Sequence, residues 1–254
     1  MRRTVFTLIS LLSVLCLVQP AQAQQPVSDL QVENLKGYVH VVTSVERGSH
    51  NQQLGTPIQK DYNANGNLTL CTYFDTMGKP TIVVHYYYDS VGMLERDLRV
   101  AVADNQLLSE THYSHNLRHR QTVADYFGVS DSLEVRTVTE FDKAGRPVDV
   151  VLYDGEHHVI SRSQSKYDAS GNRTEVLYTI GDNDQYQGEE EFRYDTEGNV
   201  IESNAHESHR ARQRLFYLYD FDAWGNWVVC YLYHMRHGHL ELIKTTTRTI
   251  TYYD

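Results

Sequence analysis

Histidine is the residue type whose spacing in this chain most invites chemistry. His112, His115 and His119 follow one another at intervals of three and four, and His237 and His239 flank a single glycine. His206-x-x-His209 is a further group. A His-x-His pair on a strand turns both rings to one face, as a tetrahedral metal site requires. These five residues, His112, His115, His119, His237 and His239, are the candidates for a metal site. No Asp, Glu or Cys in the pattern completes a ligand set, so the favoured reading is ordinary polar side chains on turns and wet sheet faces. Asp182-Asn183-Asp184 opens like a calcium loop but lacks the later Gly and bidentate Glu. The sequence calls for no cofactor.

Nucleophilic catalysis has little material. There is no G-x-S-x-G, and Cys71 and Cys230 lie in strand-like runs rather than at a turn or helix N-terminus. Glu189-Glu190-Glu191 falls on an expected strand, where alternation separates Glu190 from its neighbours, as on a solvated strand. Nothing singles out a glycosidase pair of carboxylates. The expectation is a non-enzyme. The alternative is a hydrolase or lyase acting on an extracellular polymer through His or carboxylates in a groove.

Tyrosine is the other conspicuous material: 19 Tyr stand against 7 Phe and 2 Trp. Tyr86 with Tyr88, Tyr217 with Tyr219 and Tyr231 with Tyr233 are spaced by two, so each pair shares a strand face. Such ladders suit stacking on sugar rings or gripping a peptide. The competing reading is that Tyr packs the interfaces between strands with its hydroxyl wet.

The elements that position these residues come from a repeat. Aromatic-Asp/Asn-x-x-Gly begins at Tyr62, Phe74, Tyr88, Phe141, Tyr167, Tyr194 and Phe221. The separations are 12, 14, 53, 26, 27 and 27 residues, near-multiples of one period, so degenerate copies are expected in the gaps, with Tyr153-Asp154-Gly155 as one. The acid accepts backbone N–H bonds within the turn it opens, and the Gly tolerates the left-handed conformation that closes it. Asp75 with Gly78, Asp89 with Gly92, Asp142 with Gly145, Asp168 with Gly171, Asp195 with Gly198 and Asp222 with Gly225 are therefore structural turn residues. Alternating runs such as Arg173–Tyr178 and Trp227–Tyr233 follow, which are strands. Each unit is a strand, a tight turn and a strand, and neighbours must stack to share a core. The spacing predicts an all-β fold: an antiparallel β-hairpin meander in one layer, elongated or curled. An N-terminal strand is expected over about 35–46, a loop over 47–57, and repeats over about 58–254. Val123–Phe127 is read as a helical turn, and Asp182–Gly188 as a polar hairpin loop.

Residues 1–23 are read as a signal peptide: Arg2 and Arg3, an apolar run from Val5 to Val18, then Ala21-Gln22-Ala23. Fourteen apolar residues are short of a bilayer span, which needs about 20. Leu15 before Cys16 does not fit a lipidation signal. Removing the two arginines takes the net charge from -10 to -12, which disfavours nucleic acid and anionic lipid. No other segment is apolar enough for a transmembrane helix. The expected location is the periplasm, cell surface or exterior. Disulfides are permitted there. Cys71 and Cys230 occupy matching positions after Gly66-Asn67 and Gly225-Asn226, far apart in an open array, so free thiols are favoured over a bridge.

Lys166-Tyr167-Asp168-Ala169-Ser170-Gly171-Asn172-Arg173-Thr174 resembles the YD repeat of the RHS/YD-repeat superfamily, and Tyr62–Thr69 and Tyr194–Val200 resemble it too. Leu35-Lys36-Gly37-Tyr38-Val39, Gly225-Asn226-Trp227 and Arg248-Thr249-Ile250-Thr251-Tyr252-Tyr253 are similar to small exported YD-repeat-like proteins of Bacteroidales. The resemblance covers about residues 35–254 and implies an architecture rather than an activity. Large RHS proteins enclose a toxin. A chain of this length is not expected to do so. The reading is an exported, non-enzymatic structural or binding module of the cell envelope. Its partner would be protein or glycan, held on Tyr-rich faces or by addition to an exposed edge strand.

Overall fold

A computed structural model describes residues 27–181, 186–208 and 212–253. The signal-peptide reading, Asp182-Asn183-Asp184 and His209 lie outside the described residues. A short helix, α1 (Asp29–Val32), precedes sixteen strands. In chain order these are β1 (Val39–Gly48), β2 (Gln53–Tyr62), β3 (Leu68–Phe74), β4 (Pro80–Tyr88), β5 (Leu94–Ala101), β6 (Leu107–Asn116), β7 (Gln121–Phe127) and β8 (Leu133–Phe141). They continue as β9 (Pro147–Asp154), β10 (Val159–Tyr167), β11 (Arg173–Ile180), β12 (Tyr186–Tyr194), β13 (Val200–Glu207), β14 (Gln213–Phe221), β15 (Trp227–Arg236) and β16 (His239–Tyr252).

Every strand pairs antiparallel with its sequence neighbours, and β1 pairs with β16, so the sheet is a closed barrel. This confirms the all-β hairpin meander and corrects the expectation of an elongated or curled layer. Closure removes both edges of this sheet, so among the described residues no edge strand is left for a partner to extend. Val123–Phe127 belongs to β7, paired on both sides, and is not a helical turn. The loop over 47–57 is also corrected. β1 runs to Gly48 and β2 starts at Gln53, with Arg47 paired to Gln53. Tyr186–Gly188, assigned to a loop, begins β12.

The motif turns behave as their chemistry requires. At Asp142, Oδ1 accepts the N–H of Ala144 at 2.8 Å and of Arg146 at 2.9 Å, while Gly145 N–H donates to the Asp142 carbonyl at 3.1 Å. Each motif aromatic pairs with the residue six positions on, as in Tyr62–Leu68, Tyr88–Leu94, Tyr167–Arg173 and Phe221–Trp227, and a bulge follows. Six of the seven copies close hairpins at one end of the barrel, the end where the chain enters at Val39 and leaves at Tyr252. The Phe74 copy lies at the opposite end. A 26–27-residue spacing is therefore two strands. The 53-residue gap holds one degenerate near-end turn, Asn116–Arg120, where Arg120 has φ 51° in place of Gly. Tyr153-Asp154-Gly155 is also a turn of this kind: Asp154 Oδ1 accepts from Glu156 and His158, and His157 takes the left-handed position at φ 69°.

Two expectations follow. Gly171 has φ +92° with open space around it, so Gly171→Ala should cost about 1 kcal/mol through backbone strain alone, and His157→Gly should stabilise by a similar amount. Urea melts check both, and equal midpoints for all three proteins would refute the turn analysis. Partial burial raises the Asp142 pKa, but hydrogen bonds from the Arg146 backbone and guanidinium and the Ala144 N–H outweigh it, so the carboxyl titrates below its ordinary range. Its stabilising effect is present above the unfolded pKa of about 3.9 and is lost as pH falls through the lowered folded value. Asp142→Asn keeps the acceptor and loses the charge, so its melting temperature should fall less steeply with pH below about 4 than that of the parent.

Candidate binding site

Strand register sorts side chains onto two faces. Thr122, Ala124, Thr137, Thr139, Leu152, Ser161 and Ser203 share one face through successive pairings. Thr122 and Thr139 are 1% exposed, and Ser203 is 0%. Side chains this small are hidden only on a concave face that other inward groups cover. Tyr86 and Tyr88, on β4, and Tyr217 and Tyr219, on β14, point inward by the same register. Tyr231 and Tyr233, on β15, point outward, opposite Leu218 and Phe216. The six tyrosines picked from spacing therefore divide between the two faces. Glu189 and Glu191 face out and Glu190 faces in, as alternation requires.

The inward tyrosines tie the near-end rim together. Tyr167 donates to the carbonyl of Pro147, Tyr194 to Arg173 and Tyr219 to Val200, each at 2.7 Å. Tyr88 Oη lies 2.7 Å from the Leu68 carbonyl and 2.8 Å from Asp29 Oδ2. Where the turn after β6 lacks the motif, His115 Nε2 sits 2.7 Å from the Leu94 carbonyl. Arg120 Nε donates to the Phe141 carbonyl at 3.1 Å. Burial and neighbouring carboxylates push the Tyr88 phenol well above its ordinary range, and burial does the same for Tyr219, so both hydroxyls stay protonated donors. Sequence reasoning placed the aromatics at strand ends but missed this role. The motif position itself, Tyr four times and Phe three times, gave little sign of it.

Residues 27–38 cross this end. Asp29 accepts the Leu68 N–H at 2.7 Å, and Glu33 pairs with Lys60 at 2.6 Å. Leu30 and Leu35 join Val39, Val42, Tyr62 and Leu68 in the buried core. Asn226, 2% exposed, accepts from Lys36 N–H at 2.7 Å and donates to the Lys36 carbonyl and the Tyr252 hydroxyl, both at 2.8 Å. Gly37 packs under Trp224, where an added Cβ would stand 3.0 Å from the ring. Arg248 lies over the Trp227 ring, its Cζ 3.4 Å from the centroid.

The histidines are not brought together. His112 faces out and meets Glu110 at 2.6 Å, whereas His115 faces in. His119 lies in the near-end turn after β6. His237 and His239 lie at the opposite end, where His237 and Gly238 form a left-handed turn rather than a strand. Among the described residues no group of three or more His, Cys, Asp or Glu is placed to hold a metal. Close spacing in sequence leaves these five on different faces and at different ends of the barrel. Cys71 and Cys230 are free thiols. They lie on β3 and β15, four strands apart through the β1–β16 seam, roughly 19 Å at the usual strand spacing. The expected separation holds, but through closure and not through an open array. Burial raises the pKa of each.

The convex face carries cross-strand ion pairs. Arg136 forks onto Asp125, with Nε–Oδ1 at 2.6 Å and Nη2–Oδ2 at 2.8 Å. Arg162 pairs with Asp149, and Lys166 pairs with Glu175 at 2.7 Å. Arg214 and Arg193 share Glu202 at 2.6 and 3.4 Å. A lipid-facing barrel needs an outward apolar band about 25 Å tall, and a mid-strand guanidinium there costs about 2–4 kcal/mol. This face is built for water around β7 to β14.

No known protein family matches the chain, and no curated protein matches it. Among solved structures it is similar to a porin-like protein from Bacteroides uniformis, at 10% identity and a TM-score of 0.58, over 84% of this chain and 98% of that one. A porin-like protein from Bacteroides vulgatus (13% identity, TM-score 0.39) aligns with 85% of this chain and 99% of its own. The TcdB2-TccC3-Cdc42 complex (14% identity, TM-score 0.35) aligns with 76% of this chain and 10% of its own. The first likeness shows a shared barrel fold.

Tyr167→Phe and Tyr194→Phe each remove one hydroxyl that satisfies a rim carbonyl. Each should lower stability by about 1 kcal/mol without changing the circular dichroism of the folded state. If thermal melts of both variants overlay the parent, the hydroxyls do not brace the rim.

Proposed function

We propose that this chain is an exported, non-enzymatic β-barrel of the cell envelope or surface, a small relative of the RHS/YD-repeat superfamily that binds a protein or glycan. The observation that carries the reading is the division of its tyrosines. Tyr88, Tyr167, Tyr194 and Tyr219 brace the rim through their hydroxyls, whereas Tyr231 and Tyr233 stand on the outward face with no rim carbonyl to hold. The ion-paired convex face supports a barrel standing in water rather than one wholly wrapped in lipid. The scatter of His112, His115, His119, His237 and His239 over both faces and both ends supports a role other than catalysis. With the sheet closed, a partner is engaged by a face and not by an edge.

Glycan and envelope-protein arrays probed with the secreted protein test this. Tyr231→Ala with Tyr233→Ala should weaken the ligands found by at least about tenfold. Undiminished binding would sink the outward-face reading. The porin-like fold favours a second reading, a membrane channel. Single-channel conductance in planar bilayers would establish that reading at the expense of the first.

A further inference from the structure

We infer that the outward face of β14, β15, β16 and β1 is the contact surface between two copies of this chain. The inference rests on the reading that the Tyr231 and Tyr233 face engages a partner, and it names that partner. Strands β15, β16 and β1 of this sector differ from the rest of the convex surface in charge, while β14 forms its border and carries Arg214 and Asp220 on the same face. The outward residues of β15, β16 and β1 are Val229, Tyr231, Tyr233, Met235 and Leu242, then the threonines Thr245, Thr247 and Thr249, then Val41, Thr43, Val45 and Arg47. Arg47 is the one charged side chain among these. From β5 to β14 the same face is laced with ion pairs.

Charge decides which partner fits. The chain carries a net charge of -10, so two copies repel at long range and approach best where acids are fewest. A strongly acidic or basic partner finds little free counter-charge on this sector: Arg214 is paired with Glu202, Asp220 accepts from the Tyr231 hydroxyl, and Arg47 stands apart from both. A bilayer is a poor fit as well, because the outward threonines of β16 break any continuous apolar band.

Shape agrees. Leu218 on β14 is 55% exposed and Leu240 on β16 is 49% exposed. Both line a groove of about 440 Å³ with Ile201, Phe216 and Tyr233, bordered on the β13 side by the Arg193–Glu202 ion pair. One surface thus offers both protruding leucines and a hollow, which is what a two-fold contact needs, since each patch must fit itself. The area suffices. Four strands at about 4.8 Å spacing, each about 30 Å long, present roughly 600 Å² of projected surface before side-chain relief is counted. A specific dimer buries about 800 Å² per partner. Exposed apolar side chains clustered on such an area mark an interaction site.

Sedimentation equilibrium on the secreted protein tests the inference, from about 1 to 100 µM. A dimer is expected within that range. Leu218→Glu should raise its dissociation constant at least about thirtyfold while leaving circular dichroism and the melting temperature unchanged. Gln164→Glu, which adds the same charge to the ion-paired sector, should leave the dimer intact. A monomer throughout, or a dimer indifferent to Leu218→Glu, overturns the inference. A monomer whose glycan ligand is lost on Tyr231→Ala also overturns it, while leaving the partner-binding reading standing.

Discussion

The structure depends on the pairing of β1 with β16. A sheet of sixteen strands otherwise ends in two rows of unpaired N–H and C=O groups, each a template for another chain. Here Val42 pairs with Ile250 and Ser44 with Arg248, and no edge remains. An antiparallel meander closes antiparallel only with an even number of strands. With an even number, both chain ends emerge at one end of the barrel. That is why residues 27–38 can cross the same opening beside Tyr252 and the near-end turns.

The repeat serves this closure. Its acid and glycine shape the turn, its aromatic ends the strand, and the phenols of Tyr88, Tyr167, Tyr194 and Tyr219 each pin a hairpin to the one before. Where the motif fails, at Asn116–Arg120, the rim is still tied, by His115 on one side and Arg120 on the other. The function conserved around the ring is a donor aimed at a carbonyl, which Tyr, His and Arg can each provide. The apolar face of the seam then falls to the N-terminal segment, whose Leu30 and Leu35 complete the core. Asp29 and Glu33 meet their partners in the same place. Lowered solvent access makes these few charged contacts stronger than their counterparts on the convex face.

The segments that misled are informative. Val123, Ala124 and Phe127 have helix-like spacing, yet β6 and β8 supply a complete ladder on both sides of them. Local propensity lost to pairing. Residues 47–57 are polar enough for a loop, but β16 runs to fourteen residues and holds the end of β1 in register. Three stretches had no visible connection to one another in sequence: Leu35–Val39, Gly225–Trp227 and Arg248–Tyr253. In the barrel they meet, with Asn226 bonded to Lys36 and Tyr252 and with Gly37 under Trp224.

The order of residues by itself determined where the motif turns fall, that the runs around them are strands and which side chains share a face. Those are local matters, set by glycine's freedom, the reach of an Asp side chain and a two-residue period. Only the tertiary structure decided that the sheet closes, which face is inner, and that the tyrosine pairs split between rim and exterior. A period of two says that neighbours alternate, but not which set meets the core. That assignment depends on contacts between residues some two hundred positions apart, such as Val39 with Tyr252.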